Sequence, residues 1–439
     1  MRKLSHIGSA ALLALAAATA GIATLPGEVT ATAAGFSALH PLPGLKAGRL
    51  WSVAVSQAQA QTVLVGTDSG VYRSADGGTT WRLTLSGVRV WVVGFDARNQ
   101  QEAFAGTAGK GVYASGDSGA TWAASSAGLA NANVRAMAFG LDGIAAGTDS
   151  GVAVSPDGHI WHGAGLDGDS ISAITVAANS PQFTLIAGAD NGNIASGYLF
   201  RSTAGSAWEV LQSGLPAAAV VSSLTAGPID QAVPKRPILA ATSKGIYRSG
   251  DSGDTWTAGN GVPTGMTLTT ALYSPLDPGL VYAGADSGGS TGGDLLRSTD
   301  GGVNFAPADA GLPSASKNVV AIGIAPTNPV TVVVGLDPPS GIAGMFSEVD
   351  ASAPAPPKLT GEAPGAPVAT VITTPKAKPT PKPKHARVAA APSTPSGIQQ
   401  FAGSAFHWPA PLVFEILLVL LAAYAFVRWR QRYYIEGPP

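Results

Sequence analysis

The chain contains no cysteine. That excludes a disulfide framework, a thiolate zinc site, a cysteine nucleophile and a bacterial lipoprotein anchor. Charge is scarce too: Asp, Glu, Lys and Arg make up 12% of the 439 residues, against 56 glycines and 33 prolines. That balance fits an all-β chain with many turns. The charges are unevenly placed. Between Gly35 and Asp350, 15 Lys and Arg face 23 Asp and Glu, a net of about −8, whereas residues 351–400 carry six basic residues against Glu362 alone. An acidic body argues against nucleic acid as a partner, because nucleic acid wants a basic face. Within that body glutamate is nearly missing, with only Glu102, Glu209 and Glu348. The glycine run 288–293 has no helix after it, so it is not a nucleotide-binding loop. His159 and His162 stand beside Asp157 without a further ligand at defined spacing, short of the three or four a metal needs. No metal and no cofactor is expected.

Both ends carry membrane signals. Met1-Arg2-Lys3 precedes a short alanine-rich apolar run from Leu12 to Ala23, with small-residue cleavage signatures at 18–20 and 31–33. This is the layout of a secretory signal peptide over residues 1–33, an uncleaved anchor being the alternative. Ala410 to Val427 is apolar except for Glu415, flanked by Trp408 on one side and Trp429, Tyr433 and Tyr434 on the other, with Arg428, Arg430 and Arg432 following. A span of this length crosses a bilayer core, and the aromatics and arginines mark its interfaces. The expectation is one transmembrane helix over 408–428, a cytoplasmic tail over 429–439 and an N-terminal domain outside the cell membrane. Residues 351–407 are rich in proline and lysine, as in Pro375-Lys376-Ala377-Lys378-Pro379. Such a segment buries no core and reads as a disordered stalk, able to extend on the order of 100 Å at about 3.1 Å per residue.

Between these ends the pattern S-x-D-x-G-x-T-W recurs. It closes on Trp81, Trp122 and Trp256, with degenerate copies closing on Trp161, Trp208 and Phe305, so that these aromatics lie 41, 39, 47, 48 and 49 residues apart. A near-fixed period of this size marks an array of similar units. Each unit reads as four strands. In the first, Leu50–Ser56 and Thr62–Thr67 are followed by a tight turn at Asp68-Ser69-Gly70, then Val71–Ser74, a second turn at Asp76-Gly77-Gly78, and a last strand opened by Trp81. Ala105-Gly106-Thr107, Ala146-Gly147-Thr148, Ala187-Gly188-Ala189 and Ala283-Gly284-Ala285 repeat the second strand's end. A seventh unit runs from Asn318 to Ser347 and lacks a fourth strand, while Phe36-Ser37-Ala38-Leu39 reads as a spare one. The expected fold over residues 34–350 is therefore an all-β, seven-bladed β-propeller with six clear blades and a seventh closed by the N-terminal strand. The repeated Asp-Gly turns follow from turn chemistry: Asp76, Asp117, Asp157, Asp251 and Asp300 accept backbone N–H bonds, and the following aromatic fills space between sheets.

These residues resemble the Asp-box, or bacterial neuraminidase repeat, superfamily, and the short G-V-Y-R-S-x-D-x-G units look most like photosystem II assembly factor-like and sortilin-type repeat proteins. The resemblance implies propeller architecture; the superfamily spans sialidases, endoglucanases, receptors and assembly factors. A sialidase needs an arginine triad, an Arg-Ile-Pro segment, a Tyr nucleophile with a Glu partner and an acid/base Asp. Here Arg236-Pro237-Ile238 has the wrong order, and Arg73, Arg201, Arg248 and Arg297 precede the box serine, away from a central site. No catalytic residue is assigned.

In a propeller the turns between second and third strands share a face with the starts of the inner strands, opposite the boxes. That face is expected to carry Asp68, Asp149, Asp190, Asp286 and Asp337 as a partial acidic ring, and Arg49, Trp51, Arg89, Trp91 and Arg135 as a one-sided cluster of the kind found at protein-binding hot spots. The resulting expectation is a non-catalytic, membrane-anchored module that binds a protein or a glycan, with a sialidase-like glycoside hydrolase as the alternative.

Overall fold

The computed structural model describes residues 37–38 and 48–357, apart from 179–182, 191–198, 204, 206, 212, 217–218, 229–234, 287–294, 314–317 and 338–343. The expected leader, most of the stalk, the membrane span and the tail lie outside the described residues.

The described strands form seven antiparallel sheets of four. Blade 1 comprises Leu50–Val55, Val63–Thr67, Gly70–Ser74 and Arg82–Ser86, and blades 2 to 6 repeat the order with first strands at Val90–Phe95, Val134–Phe139, Ile171–Ala178, Val221–Ala226 and Thr267–Tyr273. Blade 7 supplies Val319–Ala325, Val330–Leu336 and Gly344–Asp350, and its fourth strand is Ser37–Ala38, with Ser37 opposite Ser347 and Ala38 opposite Phe346. The expected closure by the N-terminal strand is thus present. Packing continues slightly past Asp350, whose Oδ1 accepts from the Ser352 amide at 3.0 Å and hydroxyl at 2.7 Å.

The repeated motifs are the joints between blades. The strand-two glycine makes room for the next blade: a Cβ on Gly106 would stand 2.7 Å from Val134, one on Gly147 2.7 Å from Ile171, and one on Gly188 2.8 Å from Val221. The threonine after it turns back on the hairpin, Thr67 Oγ1 donating to the Gly70 carbonyl at 2.9 Å and Thr148 Oγ1 to that of Gly151 at 2.9 Å. The closing aromatic packs onto the preceding blade. Trp161, 1% exposed, lies among Phe104 and Val112 of blade 2, Trp256 among Ile186 and Leu199 of blade 4, and Phe305 among Leu239 and Ile246 of blade 5. Trp122 and Trp208 are half-buried, their indoles donating to Thr84 Oγ1 at 3.1 Å and the Ala164 carbonyl at 2.6 Å. Truncating a buried aromatic such as Trp161 to Ala costs about 3–5 kcal/mol at sites of this kind.

In the Asp turns, Ser74 Oγ donates to Asp76 Oδ1 at 2.7 Å and accepts from the Gly78 amide at 2.8 Å, while Asp76 accepts from the Thr80 amide at 2.8 Å and hydroxyl at 2.6 Å. Asp117, Asp251 and Asp300 repeat this with Thr121, Thr255 and Asn304. In the degenerate third copy Asp157 accepts from the His159 amide at 2.9 Å, and the His159 ring meets Ser125 Oγ at 2.9 Å. A contact invisible in the motif completes the turn. The third-strand arginine donates to the next blade's turn: Arg73 Nε to the Ser118 carbonyl at 2.8 Å, Arg201 Nη1 to that of Ser252 at 3.2 Å, and Arg248 Nε to that of Gly301 at 2.8 Å. Where blade 7 has no such turn, Arg297 pairs with Asp350 at 2.7 Å.

The turns make stability acid-sensitive. Asp76 is held at about 2, chiefly by the Thr80 hydroxyl and amide. Partial burial pushes Asp117, Asp251 and Asp300 upward, but the Thr121, Thr255 and Asn304 bonds outweigh it and leave each at about 2. A carboxyl whose folded value lies below its unfolded value of about 3.9 stabilises fully above that value and loses its contribution as pH falls toward the folded value. The melting midpoint is therefore expected to hold between about pH 5 and 4 and to drop between about 4 and 2. Asp76→Asn/Asp117→Asn/Asp251→Asn should flatten that drop; scanning calorimetry across this range is the check.

Candidate functional site

All seven inner strands break register at the same place. Pairing with the second strand skips from Leu50 to Ser52, Val90 to Val92, Val134 to Ala136, Ile171 to Ala173, Val221 to Ser223, Leu268 to Thr270 and Val319 to Ala321. The residue before each skip is at most 1% exposed, so it pins the strand in the blade. The extra residue is then re-aimed, as bulges do. These residues are Trp51, Trp91 and Arg135 in blades 1 to 3, Ser172, Ser222 and Thr269 in blades 4 to 6, and Val320 in blade 7. All seven line one central cavity of about 280 Å³.

The ring is two-sided. In blades 4 and 6 the bulge hydroxyls are spent on the neighbouring blade: Ser172 Oγ donates to the Val221 carbonyl at 2.7 Å and Thr269 Oγ1 to that of Val319. Blades 1 to 3 present aromatic and cationic groups instead. The acidic turns and the arginines expected on this face form two networks, one around Asp68 and one around Arg135. Asp68, in the blade 1 turn, accepts from the Arg49 amide at 3.1 Å, the Trp51 indole at 2.9 Å and Arg89 Nε of blade 2 at 2.5 Å. Burial pushes its carboxyl up, yet the Trp51, Arg49 and Arg89 bonds outweigh that and hold it below the usual range. Arg49 Nε reaches Asp337 of blade 7 at 2.6 Å. Arg135 binds Asp149 of its own blade through Nε and Asp190 of blade 4 through Nη1 at 3.2 Å. Asp286 ends the second strand of blade 6 and bridges to Asn318.

The guanidiniums also cover the indoles. Arg49 and Arg89 lie 4.9 and 5.8 Å from the Trp51 ring centre, and Arg135 lies 5.5 Å from that of Trp91. Arg49 and Arg89 side chains remain 54% and 50% exposed. Ion pairs this exposed contribute only ~0.2–1 kcal/mol each. Their main consequence is position: each arginine is held through Nε, and the described contacts leave the terminal nitrogens of Arg49 and Arg89 and Nη2 of Arg135 unengaged. Sequence reasoning found these residues but not the bulges that aim them, nor Val320 in the same ring. Among the described residues no three His, Asp or Glu converge as a metal site.

No protein-family model and no curated protein matches the chain. Among solved structures it is similar to YCF48 from Cyanidioschyzon merolae, at 18% identity over 73% of this chain and 99% of that one, with a TM-score of 0.51. It is similar to a structure described as YCF48 bound to D1 peptide, at 16% identity over 72% of this chain and 96% of that one, with a TM-score of 0.50. It is also similar to the extracellular domain of BT4673 from B. thetaiotaomicron, at 13% identity over 72% of this chain and 39% of that one, with a TM-score of 0.51. At such identities the likeness is one of fold, the seven-bladed propeller.

Proposed function

We propose that this chain is a non-catalytic, membrane-tethered, extracytoplasmic propeller that binds a protein partner at the mouth of its central channel, through the arc of blades 1 to 3. The observation that carries the reading is the Asp68 network: one carboxylate fixes Trp51 and Arg89 from two blades. Rigid tryptophans and arginines around a cavity are the makings of a binding hot spot. The arginines' unengaged N–H groups suit carboxylate or carbonyl acceptors on the partner. YCF48, of the same fold, is described as bound to a peptide, and that class of ligand is the one proposed here. Tethering rests on the apolar span at 410–427 with its arginine flank, and the exterior location on the N-terminal leader.

Selection of randomly displayed peptides on the purified full chain tests the binding surface. Segments so selected are expected to lose at least tenfold in affinity when Arg89 or Trp91 is changed to Ala, and nothing when Thr79, on the opposite face, is changed. Selected peptides indifferent to both mouth changes would sink the proposal, as would a chain that binds only oligosaccharides.

A further inference from the structure

Below the bulge ring the inner strands build a second layer. Two residues on from the bulges stand Val53, Val93, Met137, Ile174, Leu224 and Ile322, with Ala271, the smallest, in blade 6; all line the cavity. Every blade thus contributes one aliphatic side chain, and Met137, Ile174 and Leu224 each sit in a cluster shared by their own and the preceding blade. Met137 packs with Phe104 and Trp161, Ile174 with Val152 and Leu185, and Leu224 with Ile238 and Trp256. Met137 and Leu224 are each 8% exposed, and Val53 is part-exposed. Nothing charged lines this collar beneath Arg135. The Ser52 hydroxyl is occupied by the Val93 amide at 3.1 Å, and Ser172 and Thr269 are committed as described above. Ser222, Ser223, Thr225 and Thr270 add hydroxyls to the lining, but a charged group pushed into this collar loses its hydration without gaining a charged partner, which is costly. An apolar group loses nothing and buries surface at about 25 cal/mol per Å². At about 280 Å³ the cavity falls just below the roughly 300–1,000 Å³ of pockets that bury drug-sized ligands, a size suited to a single Leu, Met or Phe side chain.

We infer that the cavity is an anchor pocket: it takes one apolar side chain, of Leu, Met or Phe size, from an extended segment of the partner. The segment's flanking carbonyl or acidic groups lie on Arg49 and Arg89. This rests on the mouth being a protein-binding surface and adds what it selects. The polar ring sets the charge of the flanks, and the aliphatic collar sets the residue at the centre. Ser222, half-exposed on the ring, gives a way to close the pocket without touching the arginine network.

The test uses N-acetyl amino-acid amides as side-chain probes and saturation-transfer NMR on the purified full chain. The Leu and Met derivatives are expected to bind, with the Lys and Glu derivatives at least tenfold weaker. Ser222→Phe, which plugs the mouth, and Ile174→Trp, which fills the collar, should each remove at least tenfold of the Leu-derivative affinity. Ser222→Phe lies outside the blade cores, so its melting midpoint serves as the control for folding. Lys or Glu derivatives binding as well as Leu would overturn the inference, as would Leu binding untouched by Ser222→Phe, or no binding of any apolar derivative. If the anchor fails while Arg89→Ala still weakens the selected segments, the mouth remains a binding surface without an anchor pocket. If Arg89→Ala is also silent, both readings fall.

Discussion

Gly261→Ala is expected to destabilise the propeller by about 3 kcal/mol or more, while Gly265→Ala, four residues on in the same loop, costs about 1 kcal/mol. Both glycines are left-handed, at φ 76° and 85°, so the backbone strain of a side chain is shared. The difference is what the new Cβ meets. At Gly261 it would stand 2.1 Å from the Phe305 carbonyl oxygen of blade 6, whereas at Gly265 nothing lies within 4 Å. The Phe305 carbonyl cannot yield easily. Its own residue's amide donates to the Asn260 carbonyl at 2.9 Å, and the Asn260 amide donates to Val303 at 2.8 Å. Room at Gly261 thus keeps blade 5 seated on blade 6. At about 2–4 °C per kcal/mol, the two variants should melt at least about 4 °C apart. Equal midpoints would mean that this joint yields at no cost.

Asp68→Ala is expected to weaken a peptide selected at the mouth by about thirtyfold, the scale of a hot-spot truncation of about 2 kcal/mol. Asp68 need not touch the ligand to do so. Its loss frees Arg89, leaves the Trp51 indole and the Arg49 amide without their acceptor, and releases the arc from the geometry that the bonds of 2.5, 2.9 and 3.1 Å impose. Because Asp68 acts through Arg89, the Asp68→Ala/Arg89→Ala pair should lose little more than either single change. Groups in one network are non-additive, and independent contacts add. Full additivity in a double-mutant cycle would make Asp68 a direct ligand contact, as the sequence view of an acidic ring implies. Melting midpoints of the single variants should move little, since the exposed pairs contribute under about 1 kcal/mol each.

Much of the fold is legible in the sequence because the blade is a local object. The Asp turn and the hairpin threonine are set by bonds within a few residues, and the A-G-T glycine and the closing aromatic meet the same kind of neighbour in each blade, so they recur as strings. Even the closing strand announces itself as a spare Phe36-Ser37-Ala38 beside a seventh unit one strand short. What the pattern hides is the polar contacts between blades. Arg73, Arg201, Arg248 and Arg297 precede the turn serine in four blades, with Ala114 and Val154 in the other two, and that recurrence is the signal that they serve the next blade. The bulges leave no such signal. The residue there is Trp, Arg, Ser, Thr or Val, because it faces a cavity rather than a core, and only the buried Leu50, Val90 or Val134 just before it is constrained. The face shared by the arginines and aspartates follows from topology. Their pairing into networks depends on reach across blades, as from Arg49 to Asp337, 288 residues apart in sequence.

The central claim is that partners dock on the channel mouth and not on the turn face. A photo-crosslinking amino acid at Lys110, exposed on the mouth face, and another at Thr79, exposed on the turn face, test it in the full chain expressed in cells. The account predicts a protein adduct from position 110 that disappears with Arg89→Glu, and none from position 79. Adducts from position 79 alone, or adducts from position 110 that persist with Arg89→Glu, would contradict it.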